Sequence, residues 1–352
     1  MTLDPVFRSK EAVRQIKEDG FLDRMTDSLK AHREAIQYTY NLLPDIIGKN
    51  YIKPLRIEDE HTEFLQNHFF LILFHSVLKT LGCSGERLRF YSRLNFCIKG
   101  IVTAGDNIFD NEAKELLPLN MQNNGIRFKS IVQLLCFDRL LHSSCNDEIT
   151  AGWLTKKKAA AIQKDILNQL ICIGKLEGSE ENGVDVILTV DEMVEKVHRV
   201  RGGMLFSLAF IAPLELEDNK EIKKLKIAEN AISNLGTAFQ IVDDLTDFEF
   251  DLSRRSNNLL CAAAFHGKNE STRIAIRELL NGKKPEPNMV ETVFAENAYE
   301  VLERARNEGK KAFEQLAELG FWFPPEHSSD LIHAIVGIEG VSRMEELTSM
   351  AK

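Results

Sequence analysis

The fold is decided by Gly236-Thr-Ala-Phe-Gln-Ile-Val-Asp-Asp-Leu-Thr-Asp-Phe-Glu-Phe-Asp251, a stretch in which aspartates recur at every fourth position. These are Asp243, Asp247 and Asp251, which share one face of an α-helix. Like charges stacked in this way oppose helix formation by about 0.2–0.5 kcal/mol per pair. Oxygen ligands without His or Cys suit Mg²⁺, which takes one or two carboxylates, several waters and a substrate phosphate. The stretch therefore predicts a helix whose polar end holds a divalent cation.

A second acidic stretch, Gly105-Asp-Asn-Ile-Phe-Asp-Asn-Glu112, has the same pattern. It follows the apolar run Ile101-Val-Thr-Ala104 and places Asp106 and Asp110 at i and i+4. One acidic helix alone is more often a solvated face, but two such helices, each preceded by an apolar run, favour metal binding. If they face each other across a cavity, they would hold Mg²⁺ ions and a diphosphate between them.

The two segments resemble motifs of the trans-isoprenyl diphosphate synthases. Phe239-Gln-Ile-Val-Asp-Asp-Leu-Thr-Asp247 is similar to their second Asp-rich motif, F-Q-x-x-D-D-x-x-D. Asp106-Asn-Ile-Phe-Asp110 is similar to the first, with Asn107 in place of an Asp. The resemblance implies an all-α fold, an orthogonal multi-helix bundle around a central cavity, with about three Mg²⁺ ions on the substrate diphosphate. It also implies a homodimer and catalytic, metal-binding roles for Asp106, Asp110, Asp243 and Asp247, with Asp251 as a further metal ligand.

Composition narrows the class of protein independently of this resemblance. A net charge of −9 argues against nucleic acid as a partner, because phosphate backbones attract basic surfaces. No apolar stretch approaches the roughly 18 residues that a membrane-spanning helix needs. The six cysteines form no C-x-x-C pair and lie in apolar runs, which predicts reduced core residues of a cytoplasmic protein.

Helical periodicity extends along most of the chain, whereas strand-like alternation is confined to 184–190. We therefore expect one all-helical domain over residues 1–352. Residues 1–45 would form N-terminal helices, and residues 289–352 would form C-terminal helices packed on the bundle. The loop at 281–288 could instead mark a small C-terminal appendage.

Cationic and amide side chains are expected to bind the diphosphate. Val197-His-Arg-Val-Arg-Gly-Gly-Met204 is similar to the Lys-Thr-Gly segment of the family, and its double glycine favours a helix break that could free a backbone carbonyl. Arginine suits bidentate phosphate contacts. By position relative to the motifs, the resemblance assigns diphosphate binding to Arg199, Arg201, Gln240, Arg254, Arg255 and Lys99.

Loss of a diphosphate from an allylic carbon leaves a carbocation, which must be kept from water in an apolar cavity. Aromatic faces can stabilise such a cation. The cavity walls would come from helix segments near the two acidic stretches, and the candidates are Phe109, Phe206, Phe210 and Phe239.

The sequence departs from the chain-elongating members of the family in the sites for isopentenyl diphosphate. Gly48-Lys-Asn-Tyr-Ile-Lys-Pro-Leu-Arg56 matches their G-G-K-R motif only loosely, and Asn111-Glu-Ala-Lys-Glu-Leu-Leu-Pro118 has no Arg pair. A second diphosphate would lack most of its counter-charges there. The i, i+4, i+8 spacing from Asp243 also resembles the second metal motif of class I terpene synthases.

The sequence therefore favours a Mg²⁺-dependent terpene synthase. It would ionise a linear prenyl diphosphate of about 15–25 carbons and cyclise or quench the cation. The first alternative is a prenyltransferase that condenses an allylic diphosphate with isopentenyl diphosphate. The second is a non-catalytic regulatory subunit of such a synthase, suggested by Asn107 in the first motif.

Overall fold

The computed structural model describes residues 20–57, 61–121, 125–328 and 331, and helices dominate them. The α-helices are α1 (Phe21–Ile47), α2 (His61–Thr80), α3 (Gly85–Asp110), α4 (Ile126–Thr150), α5 (Lys156–Ser179), α6 (Val190–Met193), α7 (Leu205–Ser207), α8 (Ile211–Leu216), α9 (Asn219–Thr246), α10 (Phe248–Arg254), α11 (Leu259–His266), α12 (Glu270–Leu280) and α13 (Ala295–Glu318). A π-helical segment, Val194–Met204, joins α6 to α7, and 3₁₀ turns occupy Lys49–Tyr51, Leu208–Phe210 and Pro325–His327.

In these ranges no strand forms, and the only β pairing is an isolated antiparallel bridge between Ile52 and Leu119. The all-α prediction is confirmed. Up to residue 19, the predicted N-terminal helices lie outside the described residues, and so do residues 329, 330 and 332–352 of the predicted C-terminal helices.

The chain divides into two compact units. The first contains Gly20–Leu167 and Leu208–Lys226, and the second contains Asn168–Ser207 and the described residues of 227–352. The acidic stretch at 106–110 belongs to the first unit and the one at 243–251 to the second. The prediction of a single domain stays a prediction.

In the first unit, α3 packs closely along α4 and carries the first acidic stretch at its carboxyl end. The contact centres on Phe137 of α4, which is fully buried and meets Phe96 edge-on at 5.6 Å between ring centroids. A Cβ added to Gly100 would lie 2.3 Å from the Phe137 ring, so only glycine allows this approach. The close packing fixes α3 two to three turns before Asp106 and Asp110.

In the second unit, α9 to α13 surround one apolar core. The buried face of α9 continues into α10, and α11 is apolar on all sides, as expected of a helix enclosed by others. The main contributors are Ala238, Ile241, Val242, Leu245, Phe248, Leu259, Leu260, Ala262, Ala264, Phe294, Val301 and Leu302. Burial of this face leaves the opposite face of α9 to carry the second acidic stretch.

Five of the six cysteines are buried, as predicted, and none forms a disulfide. Cys172 is the exception, because it lies on an exposed face of α5. Across the described ranges, none of the helices combines the length and the apolar character needed to cross a membrane.

Candidate metal and diphosphate site

The aspartates of the second stretch form a ladder over the end of α9 and the start of α10. The predicted single helix is interrupted at Asp247, whose φ of −102° and ψ of 13° depart from helical values. The i→i+4 bonds nevertheless persist, since Asp247 N–H donates to the Asp243 carbonyl (2.9 Å) and Asp251 N–H donates to the Asp247 carbonyl (2.8 Å). The three side chains therefore stay in register on one side. Asp247 is exposed, whereas Asp243 and Asp251 are half-buried.

Asp251 carries the clearest electrostatic signature of this ladder. Burial, reinforced by the negative charge of Asp244 and more weakly of Asp243 and Asp247, raises the pKa of Asp251 to about 8. The amide of Asn258 partly offsets this shift by donating to Asp251 Oδ2 at 2.9 Å. A divalent cation bound at the ladder would favour the ionised form of Asp251 and so lower this pKa.

Asp244 points away from the ladder and is an anchor in the core. Its Oδ2 lies 2.8 Å from Nε2 of His198 and accepts a hydrogen bond from Leu259 N–H at 2.5 Å. His198 and Asp244 are both buried, at 0% and 3% side-chain exposure. The Asn258 amide also donates to the Asp244 carbonyl at 2.7 Å. One carboxylate thus ties α9 to the π segment and to the start of α11.

The π segment and α9 cross at two glycines. A Cβ added to Gly202 would lie 2.0 Å from the Gly236 carbonyl oxygen, and one added to Gly236 would lie 2.2 Å from the Gly202 carbonyl oxygen. The expected helix break at Gly202 and Gly203 does not occur. The chain remains helical in π geometry, because the glycines serve the close backbone approach instead.

Arg201 is predicted to face a diphosphate, and the structure gives its guanidinium two acidic partners. Its Nε lies 2.6 Å from Glu177 Oε1 and its Nη2 lies 2.9 Å from Glu180 Oε1. Despite its burial, these carboxylates raise the pKa of Arg201 above its ordinary value. Glu180 also accepts hydrogen bonds from the backbone and side-chain amides of Asn257. Neither glutamate is predicted from the sequence, because no motif marks the end of α5.

The other residues predicted to bind diphosphate lie in different surroundings. Gln240 donates to Asp243 Oδ2 at 3.1 Å, so it belongs to the ladder. Arg199 donates to Glu195 (2.8 Å) and to Asn234 (3.3 Å). Two further arginines follow the ladder: the Arg254 guanidinium lies 5.2 Å from the centre of the Phe250 ring, and Arg255 is exposed at the end of α10.

Two of the four predicted cavity aromatics lie together. Phe206 and Phe239 stack with ring centroids 6.1 Å apart, across the crossing of the two glycines. In the first unit, Phe210 is completely buried, whereas Phe109 is 38% exposed. Of the four predicted cavity residues, Phe206 and Phe239 are therefore the two that lie in the same unit as the ladder.

The first acidic stretch ends α3, and its central residue is structural. Asp106 and Asp110 are exposed on the helix surface, whereas Asn107 is completely buried. The Asn107 amide donates to the Lys114 carbonyl (2.7 Å), and Lys114 N–H donates back to Asn107 Oδ1 (3.1 Å). Gln133 of α4 holds the same loop by accepting from the N–H groups of residues 116 and 117. The asparagine that departs from the family motif therefore secures the loop after α3.

Lys99 points toward α2 in the first unit. It donates to the Asn67 carbonyl at 2.9 Å, next to His68, where φ of −129° and ψ of 18° break the helix. Burial, and secondarily the charge of Lys99, lower the pKa of His32 and of His68 well below the usual value. The ammonium group therefore caps a break in α2.

The donor set of the second unit fits a cation that keeps much of its water. Within the described ranges, no group of three or more His, Cys, Asp or Glu side chains is placed to hold a metal ion by itself. A ladder of carboxylate oxygens, one with a pKa raised by burial and by neighbouring negative charge, suits Mg²⁺, which binds through few protein ligands and a phosphate. It does not suit a structural zinc site, which needs four converging ligands.

Comparisons with known proteins give fold-level similarity. No protein-family model matches the chain, and no curated protein matches it in sequence. A polyprenyl synthetase from Streptomyces coelicolor A3(2) is 17% identical with a TM-score of 0.59, over 89% of this chain and 99% of that one. A polyprenyl synthase from Roseobacter denitrificans is 18% identical with a TM-score of 0.57, over 89% and 97%. A polyprenyl synthase from Caulobacter crescentus CB15, complexed with calcium and isoprenyl diphosphate, is 14% identical with a TM-score of 0.51, over 89% and 95%.

The chain therefore has the all-α fold of the polyprenyl synthases. The resemblance that the two Asp-containing segments predicted is confirmed at the level of the fold.

Proposed function

We propose that this protein is a Mg²⁺-dependent enzyme that ionises an allylic prenyl diphosphate and transfers the prenyl group to an acceptor. The observation that carries the proposal is the ladder of Asp243, Asp247 and Asp251, held in register by a buried network behind it. Similarity to solved polyprenyl synthases favours prenyl transfer over the cyclisation that the sequence favours.

The carboxylates of the ladder would bind the cation, and Asp106 and Asp110 would contribute from the end of α3. A divalent cation bound there would neutralise the charge that develops on the departing diphosphate. Gln240, which donates to Asp243, would hold that carboxylate in place. The stacked Phe206 and Phe239 would present aromatic faces to the allylic cation and help to exclude water.

Arg201 would act on the diphosphate through its remaining donors, with its position fixed by Glu177 and Glu180. Arginine offers five N–H groups, so two acidic partners do not exhaust it. Arg199, Arg254, Arg255 and Lys99 stay candidates for further contacts to the two substrates.

A second candidate is cyclisation or quenching of the same cation without an acceptor. The loop 111–118, where elongating enzymes carry an Arg pair, has Lys114 as its only cationic side chain. Lys114 Nζ lies 2.6 Å from Glu112 Oε2, so this cation is already compensated. This loop would bind a second diphosphate poorly, which favours chemistry on one substrate.

We also propose that the protein is a homodimer. Three large apolar side chains on one stretch of α4 are exposed: Phe128 at 52%, Ile131 at 45% and Leu135 at 53%. Their i, i+3, i+7 spacing places them in one stripe, and exposed apolar stripes mark contact surfaces. A second copy of the chain is the proposed occupant, and sedimentation velocity of the wild type and of Leu135→Glu would test it.

The experiment that separates the two chemistries uses the purified protein, Mg²⁺ and farnesyl or geranylgeranyl diphosphate. Longer diphosphates that form only when isopentenyl diphosphate is added would establish prenyl transfer. Hydrocarbon or alcohol formed from the allylic diphosphate alone would establish the second candidate. If neither forms, a mixture with an active polyprenyl synthase tests a regulatory role, which would appear as altered product length.

A further inference from the structure

A cavity of about 400 Å³ lies in the second unit, apart from the ladder face of α10. Its walls are the loop 184–187 on one side and α10, α11 and α12 on the other. We call it the loop pocket. Ligand-binding clefts in proteins typically measure about 300–1,000 Å³, so the cavity has the size of a small-molecule site.

The floor of the loop pocket is apolar. It is formed by Phe248 and Leu252 of α10, Cys261 and Phe265 of α11, and Leu280 of α12. Burial raises the pKa of the Cys261 thiol to about 12, so this cysteine contributes a neutral, apolar surface. At about 30 Å³ for each water-sized group, the volume accommodates a chain of about ten carbons with a small head group.

One cation stands at the pocket wall without an acidic partner. Arg255 lines the cavity, is exposed, and makes no side-chain hydrogen bond or ion pair with the described part of the chain. Asp185 also lines the cavity, and it makes no ion pair with Arg255. Arg277 stands nearby, with its guanidinium 5.3 Å from the centre of the Phe265 ring. A negatively charged group would therefore find an uncompensated arginine at the wall.

The backbone holds Arg255 in an unusual conformation. Its φ of 57° is left-handed, a conformation that at a helix end is usually left to Gly or Asn. Val184 N–H donates to the Arg255 carbonyl at 2.8 Å, which ties the loop to the end of α10. His266 Nε2 lies 3.0 Å from the Ile187 carbonyl and secures the other end of the loop. The loop pocket is thus formed by hydrogen-bonded walls.

From these observations we propose that the loop pocket binds a single-chain amphiphile, with its apolar tail on the floor and an anionic head on Arg255. The ligand class is a linear chain of about ten carbons that ends in a carboxylate or a phosphate. Of the ladder residues, Asp251 lies in α10 but does not line the pocket, and Asn258, which does, donates to Asp251 Oδ2 at 2.9 Å. Binding here requires no divalent cation and does not depend on the function proposed for the ladder.

Isothermal titration calorimetry of the intact protein in EDTA tests the proposal, because EDTA suppresses cation-dependent binding at the ladder. The probes are decanoate, geranyl monophosphate and uncharged decanol, each kept below its aggregation concentration. We expect saturable binding of the two anions and at least about tenfold weaker binding of decanol, since a charge-assisted contact is lost. The tighter anion identifies the source as a fatty acid or a prenyl phosphate.

Two variants and a control locate the binding. Arg255→Asn keeps a residue that tolerates positive φ and should weaken the anions about tenfold or more while leaving decanol unchanged. Leu280→Trp should fill the cavity and abolish binding of all three probes. Lys268→Gln removes an exposed charge that does not line the pocket, and it should leave the affinities within about twofold. Circular dichroism confirms the fold of each variant.

Three results would overturn the proposal. The first is undiminished binding of the anions to Arg255→Asn, and the second is binding of decanol as tight as that of the anions. The third is the absence of saturable binding of either anion to the wild type.

Discussion

The two acidic stretches follow the same sequence pattern, yet the residues behind them differ. At the end of α3, Asn107 secures a surface loop, and the flanking aspartates are exposed. At the junction of α9 and α10, Asp244 is buried against His198 and the start of α11. In both stretches the residue after the first aspartate faces inward and acts as an anchor.

The different surroundings of the two stretches predict different affinities for a metal cation. The first presents its carboxylates at a helix end, where water screens them. The second presents carboxylates beside a buried polar network, where burial raises the pKa of Asp251 to about 8. Charge that is poorly solvated gains more from a bound cation than charge in water. We therefore expect the second stretch to contribute more to metal affinity than the first.

The largest expected effect is on turnover. Asp243→Ala and Asp106→Ala should each abolish diphosphate release from a prenyl diphosphate, because each removes a proposed metal ligand. Release of diphosphate in the presence of Mg²⁺ is the measurement, and circular dichroism controls for the fold. Titration of Mg²⁺ should show the larger loss of affinity in Asp243→Ala. Near wild-type turnover in either variant would remove that aspartate from the site.

The second effect is on folding stability, and it distinguishes the buried Asp244 from the proposed metal ligand Asp247 in the same stretch. Asp244→Ala should lower the free energy of unfolding by about 2–5 kcal/mol, because His198 and the Leu259 N–H lose a buried acceptor. Asp247→Ala is the matched control; its side chain is exposed, and the change should stay within about 0.5 kcal/mol. Urea denaturation measures both. Equal stability of the two variants would mean that Asp244 is not an anchor.

A third test restores the family residue in the first stretch. Asn107→Asp should destabilise the fold by about 1–3 kcal/mol, because a buried carboxylate cannot donate to the Lys114 carbonyl. It should not raise Mg²⁺ affinity, since the side chain faces the loop and not the surface. Denaturation and Mg²⁺ titration of this variant, beside Asn111→Asp as a surface control, check both statements. A gain in Mg²⁺ affinity would show that Asn107 weakens a metal site.

The sequence predicted what depends on local pattern. The apolar faces of α3 and α9, the i, i+4 register of the aspartates and the all-α fold follow from helical periodicity and motif spacing. The contact between Gln240 and Asp243 follows from their spacing of three residues.

The sequence did not predict contacts between distant segments. Glu177 and Glu180 meet Arg201 because a loop returns the chain, and no local pattern encodes that approach. The double glycine was expected to break a helix, yet its role depends on Gly236, which lies on another helix. Likewise, the sequence does not show whether Asn107 replaces a metal ligand at the surface or holds the loop from inside. The burial of its side chain decides this.

The smallest expected effect is a loss of folding stability at acidic pH. It arises where α2 contacts α3, the helix that carries the first acidic stretch. Buried His75 of α2 lies with Nδ1 2.6 Å from Oγ of Ser92 in α3, and burial and Lys79 lower its pKa to about 4, against a weaker opposing effect of Asp27. Between pH 4 and 6.5 the unfolded chain therefore binds more protons at this position than the folded chain, so stability falls as the pH falls.

From pH 6.5 to 5.5 this histidine should account for a loss of about 1 kcal/mol in the free energy of unfolding. His75→Gln should remove that share of the pH dependence, whereas His142→Gln, which changes a half-exposed histidine, should not. Urea denaturation at the two pH values measures the difference. An unchanged slope in His75→Gln would mean that the contact between α2 and α3 tolerates a charged imidazole. Protonation of His75 would then not weaken the packing of α2 against α3, the helix that carries the first acidic stretch.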